Sequence, residues 1–250
     1  MSTITILTGA NRGLGAAMAA IIARSGQHLV TLSRQPTPSL DELARSHGTT
    51  LTHVNVDLGD EQAVQTITPQ VSKLLAGHDR VRLIHNAGIV TPVKQSADLT
   101  VFADIRKAFL VNIESPIFLT AHFLKATSQA TDRRVMLISS GAGRGPTSGW
   151  AVYCATKAAM DRYAQVLQQD CGNTVRIVSM APGIIDTGMQ AEIRSFGEQD
   201  FPSIERFIGF HKQQQLASPD TTASRLLTLM ERDEFGTKTL DDVREHHFSS

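Results

Sequence analysis

The 250-residue chain carries 24 basic and 24 acidic side chains, with 41% hydrophobic and 19% charged residues. Zero net charge without any basic run argues against nucleic acid or an anionic membrane as the main partner, and no apolar run approaches the roughly 20 residues of a membrane span. The first residues read as a strand and not as a leader. Cys154 and Cys171 lack metal-like partner spacing and suit a reduced, cytoplasmic setting with no metal site. No repeat or long linker divides the chain, so one domain over residues 1–250 is expected.

Thr3 to Thr8 is β-branched and apolar, a short buried strand. It runs into Gly9-Ala10-Asn11-Arg12-Gly13-Leu14-Gly15 and then the alanine-rich run Ala16 to Ala23, which predicts a helix. Strand, glycine turn, helix is the order that presents free backbone N–H groups to a pyrophosphate. Gly9 allows the turn, Gly13 lets phosphates approach, and Gly15 lets helix pack on strand.

His28 to Ser33 reads as the second strand, ending in Ser33-Arg34 where dinucleotide folds that bind NAD place an acidic residue. Here a hydroxyl and a guanidinium stand instead, with Arg12 near enough in the chain to join them. Both cations suit a 2′-phosphate, so NADP is expected over NAD.

A short helix is predicted around Leu40 to Ser46, a third strand over Leu51 to Val56 ending at Asp57-Leu58, and a helix from about Asp60 as N-cap. Val81 to His85 is the fourth strand, followed by Asn86-Ala87-Gly88, with His85 expected to be a hydrogen-bonded core residue. A long helix over about Thr100 to Thr127 contains Asn112 and, four residues later, Pro116. Proline has no N–H, so the Asn112 carbonyl loses its helical partner and could hold a water.

The fifth strand spans Arg133 to Ser140. On the helix that follows, Tyr153 and Lys157 lie four apart and share a face. A cation beside a phenol favours the phenolate, so Lys157 is expected to lower the Tyr153 pKa towards neutrality. A phenol so placed can trade protons with an alcohol or carbonyl oxygen. Met160, Ala164, Leu167 and Cys171 continue the stripe into the core.

Val175 to Met180 is the sixth strand, leading to Pro182-Gly183-Ile184-Ile185-Asp186-Thr187. Residues of about 188–215 are less regular and hold four phenylalanines, a substrate lid or a packed flap. Ser218-Pro219-Asp220 starts a last helix to about Arg232, and a short seventh strand is expected near Thr237 to Leu240. The whole describes an α/β chain: a Rossmann-type, doubly wound, seven-stranded parallel sheet with helices on both faces.

The Gly-x-x-x-Gly-x-Gly turn and Tyr153-x-x-x-Lys157 together resemble the short-chain dehydrogenase/reductase family over nearly the whole chain. The resemblance implies that Asp57 binds the adenine amino group and that Asn86, Ala87 and Gly88 line the cofactor floor, with His85 replacing the usual asparagine. It implies that Asn112 holds a water linking Lys157 to solvent, and that Ser140, thirteen residues before Tyr153, binds the substrate oxygen. Backbone at Ile185 and the Thr187 hydroxyl, in the Pro182-Gly183 loop, would hold the nicotinamide. The second half is most similar to the sepiapterin and microbial benzil reductases. That branch implies reduction of a vicinal dicarbonyl with NADPH, a small-molecule substrate, Trp150 in the pocket wall, Asp242 as a pterin anchor and a homodimer. The alternatives are a general secondary-alcohol dehydrogenase or a cofactor-bound regulator without turnover; the latter predicts a lost Tyr or Lys, and both are present.

Overall fold

The computed structural model describes residues 2–248. Seven parallel strands form one sheet in the order β3-β2-β1-β4-β5-β6-β7: β1 (Thr3–Thr8), β2 (His28–Ser33), β3 (Thr50–Asn55), β4 (Arg80–His85), β5 (Asp132–Ile138), β6 (Arg176–Ala181) and β7 (Leu240–Asp242). Alternate strand residues feed opposite faces. Ile4, Ile6, Leu83 and Leu137 pack with α3 (Glu61–Leu75), α5 (Ser115–Ala126) and α6 (Ala151–Cys171). Leu7, Ile84, Met136 and Val178 pack with α1 (Gly13–Ile22), α2 (Pro38–Ser46) and α9 (Pro219–Glu231). The doubly wound sheet of the sequence reading is therefore the observed one.

Local signals set most boundaries. Asp60 caps α3 by accepting from the Ala63 N–H at 3.1 Å. Ser218 caps α9 by accepting from the Thr221 N–H at 3.0 Å. Two expectations need correction. The helix foreseen over about Thr100–Thr127 is broken into α4 (Phe102–Phe109), a π-helical turn Leu110–Glu114, and α5. Proline at 116 cannot close the ordinary ladder, and the chain absorbs the missing donor by widening one turn.

The seventh strand begins three residues later than foreseen, because pairing with β6 sets its register at Ser179↔Leu240, Met180↔Asp241 and Ala181↔Asp242. Two aspartates read locally as loop. They are tolerated here because Asp241 meets His246 at 2.7 Å and Asp242 meets Arg244 at 2.6 Å.

Between β6 and α9 lie α7 (Gly188–Ile193) and α8 (Ile204–Lys212). Ile193, Phe201 and Ile204 are buried against Val90, Val93, Trp150 and Tyr153, a third apolar cluster at the carboxyl end of the sheet. These three residues anchor the 188–215 segment to the sheet.

Candidate active site

A cavity of about 700 Å³ opens at the carboxyl ends of the central strands. All but two of the residues expected from sequence to touch cofactor or substrate line it: the Gly9–Gly15 turn, Ser33, Arg34, Asp57, Leu58, Asn86, Ala87, Gly88, Ser140, Trp150, Tyr153, Lys157, Pro182, Gly183, Ile185 and Thr187. Asn112 and Asp242 do not.

The glycine turn is held from two sides. Gly9 has φ +68°, and a Cβ there would stand 2.9 Å from the Ala87 Cα; a Cβ on Gly15 would run into the Gly9 carbonyl. The Asn86 side-chain amide donates to the Thr8 carbonyl at 3.0 Å and the Gly9 carbonyl at 3.1 Å. Thr8 Oγ1 in turn accepts from the backbone N–H groups of Asn86 and Ala87, both at 3.0 Å. Helix α1 has no side-chain cap, so its first-turn N–H groups remain open to an anion. A close-packed turn, an uncapped ten-residue helix and the exposed cations Arg12 and Arg34 fit a phosphorylated dinucleotide. The Ser33 hydroxyl donates to the Gln35 carbonyl at 2.9 Å and must turn to reach a phosphate. Asp57 Oδ1 accepts from the Gly59 N–H at 2.8 Å.

The pair expected to be catalytic, Tyr153 and Lys157, sits at the start of α6. Tyr153 is 7% exposed and Lys157 5%, with the Lys157 Nζ 5.7 Å from the Tyr153 ring centre. The expected depression of the phenol is not observed. Burial pushes the Tyr153 phenol up to about 12, with the Ser140 hydroxyl working in the opposite direction. Burial also brings the Lys157 ammonium down to about 8, against the pull of Asp161. The physical reason is that both groups lie out of water, where each charged form is costly. The ammonium donates to the Ile138 carbonyl at 2.7 Å. A phenol that holds its proton suits a proton donor.

Ser140 Oγ accepts from the Ala142 N–H at 3.1 Å, and its own proton can go to the Tyr153 oxygen or to a ligand beside it. Asn112, carried by the π-helical turn, is a clamp. Its amide donates to the Ile89 carbonyl at 2.9 Å and to Thr156 Oγ1 at 3.1 Å, while its Oδ1 accepts from the Ile89 N–H at 2.9 Å. His85 is buried, its Nε2 2.9 Å from Thr120 Oγ1. It is the core histidine of the sequence reading.

Asp242 is withdrawn from the pocket. Its carboxylate accepts from Arg244 Nε at 2.9 Å and Nη2 at 2.6 Å, and Arg244 is the residue that lines the cavity. Sequence reading missed Arg244, Arg206, Gln190 and Asp161. Asp161 Oδ1 accepts from the Ser139 and Ser179 hydroxyls, both at 2.6 Å, one helical turn beyond Lys157. Its place four residues after Lys157 on the same face was a signal available in the sequence.

Comparisons with known proteins identify the family. A family model described as short chain dehydrogenase matches residues 3–197. A benzil reductase ((S)-benzoin forming) of Bacillus cereus is 33% identical over 236 residues, 92% of this chain and 94% of that one. The sepiapterin reductase of Bos taurus is 32% identical over 246 residues, 93% and 91% of the two chains. Among solved structures, the KRED1-Pglu enzyme superposes with a TM-score of 0.81 at 26% identity, over 95% of this chain and 99% of the other.

Proposed function

The chain belongs to the short-chain dehydrogenase/reductase family and is an oxidoreductase acting on CH–OH and C=O groups; from that premise we propose that it is an NADPH-dependent reductase of vicinal dicarbonyls, giving a hydroxyketone. The observation that carries the substrate class is the aromatic wall beside the proton donor. The Trp150 ring meets Tyr153 edge-on at 5.3 Å and is backed by Phe207 at 5.1 Å, and Trp150, Phe207 and Phe210 all line the cavity. Such a wall holds an aromatic or flat substituent next to the reacting carbonyl. The names of the relatives, a benzil reductase and a sepiapterin reductase, point the same way.

When bound, the reduced nicotinamide supplies the hydride. The N–H groups of the Gly9–Gly15 turn would hold that cofactor, and Arg12 and Arg34 would pair with its 2′-phosphate. Thr187 and the Ile185 backbone would hold its carboxamide. Ser140 donates its hydroxyl proton to the substrate oxygen and orients it. Tyr153, whose buried phenol keeps its proton at neutral pH, gives that proton to the same oxygen as charge develops there. Lys157 keeps positive charge near the phenol, and Asn112 would hold the water that reconnects it to solvent. The segment of about 188–215 covers the substrate, and a cytoplasmic homodimer is the expected setting.

A second carbonyl withdraws electrons from the first, so a diketone should react faster than a simple ketone. The test is kcat/KM for benzil, 1-phenyl-1,2-propanedione and sepiapterin against acetophenone, with NADPH and with NADH. The diketones are expected to lead, and NADPH to outperform NADH. Acetophenone equal to or better than the diketones would remove the dicarbonyl assignment and leave a generic carbonyl reductase.

A further inference from the structure

Several buried polar side-chain atoms find no hydrogen-bond partner among the described residues: those of His53, His78, His85, Trp150, Asp161, Gln190 and Arg194. Only Trp150 and Gln190 also line the cavity. Gln190 is 4% exposed, and both its amide nitrogen and its amide oxygen are unpartnered. Trp150 is 5% exposed, and its indole N–H is unpartnered. Leaving such groups buried and unpaired costs about as much as losing a hydrogen bond. Inside a ligand cavity, that is the pattern of groups completed by the ligand.

Neither side chain is free to swing towards water. One face of the Trp150 ring stacks on Phe201 with centres 4.9 Å apart and planes at 18°, and its edge meets Tyr153. Gln190 stands in α7 between Met189 and Ile193, which pack in the same apolar cluster as Trp150 and Tyr153. Two neutral N–H donors, the Gln190 amide and the Trp150 indole, are therefore fixed in the wall that holds the proton donor, together with one acceptor, the Gln190 amide oxygen. The amide oxygen is left to a water or to an N–H or O–H of the ligand; the two donors suit an acceptor that bears no proton and no charge. A ketone oxygen is such a group.

We infer that Gln190 and Trp150 form the subsite for the second, non-reacting carbonyl oxygen of a vicinal dicarbonyl, and that they set the preference for a diketone over a matching monoketone. This rests on the dicarbonyl-reductase reading. A monoketone that fills the same space leaves both donors unpaired in the bound state, and the site discriminates against it for that reason.

Benzil and deoxybenzoin differ by one oxygen, a carbonyl in the first and a methylene in the second. In Gln190→Leu and in Trp150→Phe, which keeps a ring but removes the N–H, the ratio of kcat/KM for benzil over deoxybenzoin is expected to fall about tenfold each. Calorimetry on protein loaded with NADP⁺ gives a readout without turnover. There, the Kd for benzil should weaken about tenfold and that for deoxybenzoin far less. Cofactor affinity near wild type shows that a variant is folded; Gln190→Met replaces Gln190→Leu if it is not. A ratio that stays constant, or equal losses on both substrates, overturns the subsite. A wild-type protein with no preference for benzil sinks the dicarbonyl reading itself, and the subsite with it.

Discussion

The two edges of the same sheet treat polar groups in opposite ways. At the amino edge, Arg82 in β4 is buried and fully engaged. It donates to Glu231 at 2.8 and 2.9 Å and to the Asp132 carboxylate at 2.7 Å. Arg134 in β5 donates to Asp132 at 2.9 Å and to the carbonyls of Met230 and Arg232 at 2.6 and 2.9 Å. This lattice ties β4 and β5 to the end of α9. At the carboxyl edge, Gln190, the Trp150 N–H, His85 Nδ1 and one oxygen of Asp161 lack a hydrogen-bond partner among the described residues, and Lys157 is buried on a single carbonyl. Buried charge that is paired serves the fold. Most of the buried polar groups left short of partners lie at the edge where open α/β sheets bind ligands; His53 in β3 and His78 just before β4 are the exceptions.

The largest effect expected from breaking this contrast lies at the carboxyl edge. Tyr153→Phe removes the proposed proton donor but keeps the ring. Turnover of the diketone should fall by about 10²–10⁴-fold, with thermal midpoint and cofactor affinity close to wild type. Turnover within a few-fold of wild type would take Tyr153 out of its role. Next comes the amino edge. Arg82→Ala strands Glu231 and leaves Asp132 paired with Arg134 alone, and because Glu231 is more than half exposed the cost sits at the low end for a broken buried pair, about 3 kcal/mol. That corresponds to a thermal midpoint lower by about 6–12 °C, while kcat/KM per folded molecule stays near wild type. A variant that kept its stability and lost its activity would invert the contrast.

The smallest effect sharpens it. His85 stands at the carboxyl end of β4 where the resemblance implies asparagine, and burial brings its pKa down to about 3. Between about pH 6.5 and 3 the unfolded chain holds a proton that the folded chain does not. Stability from this group is therefore present above pH 6.5 and is lost as pH falls, amounting to about 2 kcal/mol at pH 5. In His85→Asn, the drop in thermal midpoint between pH 7 and pH 5 should shrink by about 4–8 °C. An unchanged drop would show that His85 titrates normally or that the acid loss lies elsewhere.

Much of this site is legible in the chain because its signals are short. Gly9, Gly13 and Gly15 mark a turn where backbone must pass close to backbone, and a Cβ at Gly9 or Gly15 would indeed collide. Tyr153 and Lys157 share a helical face by spacing alone. The strands announce themselves by β-branched apolar runs, and their ends brought the expected cofactor residues around one cavity. Other expectations failed where the deciding contact came from far away in the chain. Asp242 has the place of an anchor in the sequence, yet Arg244 takes its carboxylate. The start of β7 follows its hydrogen bonds to β6 and not its own composition.

Sequence by itself determined the order of strands and helices, the glycine turn, and the residues able to carry proton chemistry. Those depend on backbone freedom and on periods of two and 3.6 residues, which act between near neighbours. Only the tertiary structure decided the protonation of Tyr153, the partner of Asp242, and which of many polar side chains remain unpaired in the cavity. Desolvation and hydrogen-bond satisfaction are set by everything packed around a group. For Tyr153 that surrounding includes Trp150 and the chain from Val90 to Ile204, brought together only when the sheet closes over its carboxyl edge.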